Sequence, residues 1–345
     1  MQEGAAALMR FFAYSNQPIV DVVYLGGSIT NGAAASDVTA TSWRALTSNW
    51  LGGKFASNNI VNYNKGIGST GSWYGLVRLQ ADVLANSPDV VFIDFGVNDT
   101  SDVGGDRTNE FMPTAEALIR RIKSNNSLTK IIVLINTWVS NYSYLSETQI
   151  RIRDNWITLA NHYDLDLYRW DTYVESLMGE GYTDLDFEAY LFSSQSVHPN
   201  DAGHQVMFDL IKSSLSSLLV SSYILPDRHY AESEDFEQTP TTRTGVDNDG
   251  ETGAGWSTDG TARISSTADD TISWTGTFSS FGLDTNYSTG AGTLAWSIDG
   301  GAYTNIDLSL KAGTNFTVTN FTRSEHTVTI KVISGTVEVK RFLAI

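Results

Sequence analysis

The chain has 345 residues, about twice the roughly 150 of a usual domain, which excludes a single small domain and makes two domains the starting expectation. With 41% hydrophobic and 18% charged residues it has the material for a sizeable core and is no disordered chain. Twenty-two basic against 39 acidic residues give a net charge of −17, a sign that opposes binding to phosphate backbones and to anionic lipid, so neither nucleic acid nor membrane is expected as a partner.

From Val20 to about Ser222, short apolar runs alternate with longer segments of helical length: Asp21–Leu25, Ile60–Tyr63, Asp89–Phe95, Lys130–Asn136 and Leu165–Tyr168. The pattern predicts βαβ units and a parallel sheet of about five strands. Leu145–Tyr163 and Ala202–Leu219 carry apolar residues at helical spacing and read as helices. Beyond Pro226 the composition turns to Gly, Thr, Ser and Asp, with alternating runs at Thr271–Trp274, Thr293–Ile298, Phe316–Phe321 and His326–Ile333. That half reads as all-β, a sandwich or jelly roll, with turn signals at Asp299-Gly300-Gly301 and Ser334-Gly335-Thr336. The expected domains are 1–225 and 243–345, joined by a linker over 226–242.

Cysteine is absent, which removes disulfides, thiolate nucleophiles and Cys-ligated metals. The start, Met1-Gln2-Glu3-Gly4, lacks the regions of a secretory signal, so the expectation is either a protein not exported by that route or one that begins after processing, and extracellular or virion-associated locations stay open. His162, His229 and His326 show no ligand spacing, and no metal site is expected. Asp247–Glu251 is an oxygen-rich turn without a full calcium loop and reads as solvated.

Three motifs carry chemistry. The first strand ends in Gly26-Gly27-Ser28-Ile29-Thr30, which puts a serine on a tight turn at the carboxyl edge of the sheet, where such folds open their ligand crevice. The third strand ends in Gly96-Val97-Asn98-Asp99, bringing an amide to the same edge, and Ser196-Val197-His198-Pro199-Asn200 opens the last helix. By their order and spacing these motifs resemble the SGNH (GDSL-like) hydrolase family over about residues 18–222. The stretch Asn64-Lys65-Gly66-Ile67-Gly68-Ser69, followed by Arg78-Leu79, resembles the second motif of its glycan-directed members.

The resemblance implies an α/β/α three-layer sandwich followed by the β domain. It also implies a serine esterase in which Ser28 is the nucleophile and His198 the general base. The oxyanion hole falls on the Ser28 N–H, a backbone N–H of Gly68 or Ser69, and the Asn98 amide. No cofactor is required; the implied substrate is a short acyl ester, acetyl above all, on a carbohydrate or small molecule, and a homo-oligomer stays open. Two departures stand out: Ser69 takes the place of the family's oxyanion glycine, and Gln195 that of the acid three residues before the histidine. A neutral Gln195 orients an imidazole but stabilises its cation poorly, and Asp184, Asp186 and Glu188 are alternatives.

Plainer readings apply to the neighbours. Asp99 reads as a supporting or capping residue, Asn200 and Asp201 as helix caps, and His204 as packing. Trp73, Tyr74, Trp138, Tyr142 and Tyr144 are candidates to face the crevice or else core; Trp256, Trp274, Trp296 and Tyr303 read as sandwich core or a sugar surface. Besides carbohydrate esterase, the sequence is compatible with a general carboxylesterase or with a degenerate glycan-binding or structural module.

Overall fold

A computed structural model describes residues 20–53, 60–100, 108–136, 147–181, 186, 191–192, 197–215, 223–230, 237, 241–244, 251–259, 262–285, 291–310 and 315–345. The chain forms two compact units and passes from the first to the second between Ser233 and Glu234.

In the first unit the order is β1 (Val20–Gly26), α1 (Ser28–Asn31), α2 (Trp43–Gly52), β2 (Ile60–Gly66), α3 (Ser72–Val77), α4 (Leu79–Asp82), β3 (Val90–Asp94), α5 (Thr108–Asn125), β4 (Lys130–Ile135), α6 (Glu147–His162), β5 (Asp166–Arg169), α7 (Trp170–Gly179) and α8 (Asp201–Ser214). The strands form a five-stranded sheet in the order β2-β1-β3-β4-β5, every pair parallel. Strands β1, β3 and β4 are almost wholly buried, as expected of parallel strands covered on both faces in a three-layer α/β/α sandwich. The order reverses between β1 and β3, and at that switch point the carboxyl ends of the strands leave a crevice. In register, Gly26 lies beside Gly66 on one side and Asp94 on the other.

The core beneath α2 is aromatic: Tyr24 stacks on Phe92 at 5.0 Å, and Trp43 meets Tyr24 edge-on at 5.4 Å. Ser42 caps α2 by accepting from the Ala45 N–H at 3.2 Å. On the far side, the carboxylate of fully buried Glu116 takes the backbone N–H groups of His229 (2.5 Å) and Tyr230 (2.7 Å), and Arg120 donates to the Pro226 carbonyl at 2.7 Å. Residues 226–230 are thereby tied to α5 of the first unit.

The second unit holds β6 (Thr241–Thr244), β7 (Glu251–Ala254), β8 (Ser257–Asp259), β9 (Ala262–Ser265), β10 (Thr271–Thr285), β11 (Thr293–Ile298), β12 (Thr304–Asp307), β13 (Asn315–Ser334) and β14 (Val337–Ala344). These strands pair antiparallel, along a path β12-β11-β13-β10-β14-β9-β8 with β6 on β14 and β7 on β10. The core of this β-sandwich faces Ile272, Trp274 and Phe278 before a bulge in β10, and Phe281 and Leu283 after it. The bulge between Phe278 and Ser280 moves the inward residues from even to odd numbers and keeps the apolar side on the core. The turn at Asp299 (φ 50°) and Gly300 (φ 73°) has both central residues left-handed, the geometry that a tight hairpin between β11 and β12 demands. Two runs that read as separate strands, Phe316–Phe321 and His326–Ile333, are one strand, β13, whose register against β10 shifts between Thr319 and Ser324.

Candidate active site

Strand β1 ends at Gly26, Gly27 caps the start of α1 with φ −90° and ψ −149°, outside the helical range, and Ser28 is the first residue of that short helix. The helix closes at Gly32, whose φ of 98° suits glycine and whose N–H returns to the Ser28 carbonyl at 3.1 Å. The serine is thus held half-buried on a sharp turn at the switch point.

The loop after β2 passes beside it. A Cβ on Gly68 would lie 3.7 Å from the Ser28 Cβ, and Ser69 adopts φ 60°, the left-handed region where glycine sits without strain and a serine pays for its side chain. Thr70 closes this turn by donating to the Ile67 carbonyl at 2.7 Å. Asn98 opens a 3₁₀ turn just past β3 and lays its amide over the elbow: a Cβ on Gly27 would fall 2.2 Å from Asn98 Nδ2. Only glycine at 27 admits the amide there. The same Nδ2 donates to the Thr70 carbonyl at 3.1 Å, which fixes the amide plane.

His198 arrives from the other end of the unit. Its loop is pinned by a bridge between Phe192 and Pro199 and by Asn200, whose N–H donates to the Leu191 carbonyl at 3.0 Å and whose Nδ2 donates to the Phe192 carbonyl at 3.2 Å. The result is a distance of 2.7 Å between His198 Nε2 and Ser28 Oγ, across 170 residues of chain. Gln195, the expected orienting residue, lies outside the described residues, as do Asp184 and Glu188. The five residues assigned to nucleophile, base and oxyanion hole come from four loops at one sheet edge, with Gly68 and Ser69 sharing the loop after β2.

The model of the GDSL-like lipase/acylhydrolase family matches residues 24–206, more than half of the chain and the whole of this arrangement. The chain belongs to the GDSL-like lipase/acylhydrolase family. Among solved structures, a two-domain esterase (CEX) active on acetylated mannans matches with a TM-score of 0.79 at 19% identity, covering 98% of this chain and 94% of that one. The same esterase co-crystallized with mannopentaose matches at 0.79 and 20% over the same shares. Axe2, an acetylxylan esterase from Geobacillus stearothermophilus, gives 0.49 and 19%, covering 60% of this chain and 100% of that one. The curated proteins contain no match. The two-domain fold is thus shared with a solved esterase, and membership of the acylhydrolase family makes the chain a carboxylic ester hydrolase.

In this acylhydrolase, partial burial holds the His198 imidazole below the usual histidine range. The neutral ring, the form able to take a proton, therefore persists to lower pH than in a free histidine. The expected kcat/KM profile falls on the acid side with a midpoint below about 6.5. A midpoint at or above that value in p-nitrophenyl acetate hydrolysis would contradict the assignment of His198.

The supporting residues also find places. Asp99, only 1% exposed, accepts from the Ser72 N–H at 2.6 Å and from Trp156 Nε1 at 3.0 Å. It caps α3, whose own N-cap, Gly71, has no side chain to do so and must lack one, since a Cβ there would fall 2.5 Å from Asp99 Oδ1. Asn200 caps α8 through the Gly203 N–H at 3.0 Å. Asp201 does something the sequence did not suggest: it reaches back to accept from the Ser36 N–H (2.8 Å), Ser36 Oγ (2.5 Å) and Thr41 Oγ1 (2.7 Å), tying the segment that carries His198 to the loop behind Ser28. His204, fully buried in α8 and pushed down to about 4 by burial, adds a contact to the Ala33 carbonyl at 3.3 Å. Trp73 and Tyr74 are buried in α3 rather than open to the crevice, and Trp138, Tyr142 and Tyr144 lie outside the described residues.

The second unit contains a set with the connectivity of a triad: His326 Nδ1 is 2.7 Å from Asp299 Oδ2 and Nε2 is 2.9 Å from Ser324 Oγ. It is not a second acylhydrolase site. Nε2 also stands 2.9 Å from the Thr322 carbonyl, which only accepts, so Nε2 is engaged as a donor there and offers Ser324 no lone pair for its proton. Burial alone would lower its pKa, but the Asp299 carboxylate and the Thr322 carbonyl outweigh that and raise it above the usual value. The stabilising pair is therefore complete below about pH 6.5 and is lost as pH rises through the folded-state value. NMR titration is expected to place the His326 midpoint above that of a free histidine, and Asp299→Asn to lower it; an unshifted midpoint would remove the ion pair.

Proposed function

We propose that this ester hydrolase removes short acyl groups, acetyl first among them, from carbohydrate by a serine mechanism. The observation that carries the reading is Ser28 Oγ at 2.7 Å from His198 Nε2 on the elbow crossed by the Asn98 amide. In the first half-reaction, Ser28 Oγ bonds to the ester carbonyl carbon as its proton passes to His198 Nε2. The oxyanion is held by the Ser28 N–H, by the N–H of Gly68 or Ser69, and by Asn98 Nδ2. The C–O bond to the sugar breaks, His198 returns its proton to the leaving alcohol, and a water activated by the same ring then releases acetate and free Ser28. The half-buried serine beside the exposed Gly68–Ser69 loop suits an open crevice that admits a bulky alcohol with a small acyl group.

Acetylated mannan is the first substrate to try, because the solved esterase sharing the two-domain fold is active on it. The hydrolase domain is assigned to 1–225 and the accessory domain to 243–345, with 226–242 between them. The test is acetate release from acetylated mannan run beside p-nitrophenyl acetate hydrolysis, with Ser28→Ala as control. Acetate from the mannan supports the reading. Hydrolysis of the aryl ester alone would replace it with a general carboxylesterase, and inertness toward both would end the serine mechanism.

A further inference from the structure

The apolar run of β3 closes on a carboxylate, Asp94, in register with the last residue of β1 and only 4% exposed. Such a group loses its hydration and is kept only where directional bonds replace it. Two neutral donors do so: Thr30 Oγ1 donates to Oδ2 at 2.8 Å, and Asn136 Nδ2 donates to Oδ1 at 2.5 Å. The main-chain carbonyl of the same residue accepts the Gly27 N–H at 3.2 Å. Gly27 and Thr30 flank Ser28. Gly26 completes the fit, since a Cβ there would lie 2.3 Å from Thr30 Oγ1 and 2.7 Å from the Asp94 carbonyl.

We propose that Asp94, through Thr30, is a positioning residue for the nucleophile, gripping the Ser28 elbow on both sides. The inference rests on Ser28 being the nucleophile, as argued above, and adds what holds it in place. Two features favour positioning over plain packing. Apolar side chains would fill the same buried space without desolvating a carboxylate, and burial is felt strongly enough to push the Asp94 carboxyl up to about 6 despite its two donors. Asn136 turns its amide nitrogen toward Asp94, and among the described residues its own Oδ1 meets no donor, so the carboxylate sets the amide's orientation. In return the turn carrying Ser28 is anchored by bonds with direction as well as by contact, and small errors in nucleophile placement are expensive in rate.

The test compares Thr30→Val, which keeps the shape and loses the hydroxyl, with Thr30→Ser, which keeps the hydroxyl and loses a methyl, in p-nitrophenyl acetate hydrolysis. Thr30→Val is expected to lower kcat about tenfold or more with KM little changed, and Thr30→Ser to stay within about threefold of wild type. If Thr30→Val does not fold, as judged by circular dichroism, Thr30→Ala replaces it in the same contrast with Thr30→Ser. Unchanged kcat in the hydroxyl-free variant, equal losses in both, or a rise in KM with kcat intact would overturn the proposal while leaving the serine mechanism standing. A wild type no faster than Ser28→Ala would overturn both together.

Discussion

Replacing Ser28 with alanine is expected to lower kcat for p-nitrophenyl acetate by on the order of 10⁴-fold or more, as in serine hydrolases generally when nucleophile or base is removed. His198→Ala is expected to do nearly the same, because Ser28 Oγ at 2.7 Å from Nε2 is a poor nucleophile once nothing takes its proton. The double variant should be no worse than either single one, since each change alone disables the same unit. Neither substitution touches the core: both side chains are half-buried at the crevice, so thermal unfolding should move by no more than a few degrees. Stopped-flow or steady-state rates on the four proteins check this. Additive losses would mean that serine and histidine act independently.

Asn98→Ala should be the next most damaging change, at about 10² to 10³-fold in kcat, the usual cost of one oxyanion donor. Its effect on KM should be small, because an oxyanion exists only once the carbonyl has been attacked. The position makes this sharper than in a loose loop. The amide is wedged against Gly27 and oriented by its bond to the Thr70 carbonyl at 3.1 Å, so little reorganisation is needed when charge develops. Because that bond also ties two loops together, the measurement includes a melting curve. A kcat loss with an unchanged melting point supports the donor role, and a loss that follows the melting point would reduce Asn98 to a loop tether.

Much of this site was legible in the sequence because its motifs are local. A Gly-Gly-Ser turn after an apolar run announces a strand end and a presented hydroxyl, the Asn98 motif closes another strand, and the His198 motif opens the last helix. The parallel sheet was legible for a similar reason, since buried strands such as Val90–Asp94 are continuous apolar runs. What escaped were bonds between distant residues. Asp94 falls within the run Asp89–Phe95, and nothing local says that its carboxylate will meet Thr30, 64 residues earlier. Asp201 reads as a helix cap, and its capping neighbour Asn200 behaves as one, yet its own partners are Ser36 and Thr41. The left-handed φ of Ser69 is likewise invisible in a residue that rarely adopts it.

The 170 residues separating Ser28 from His198 give the pair a second use, as a gauge of the native state. Four of the five sheet strands lie between them in the chain, so under the proposed mechanism the serine acquires its reactive hydroxyl only when both ends of that long loop have closed. A serine-directed phosphonate would mark only such molecules, and the labelled fraction would count folded chains in a mixture where absorbance or mass counts all of them.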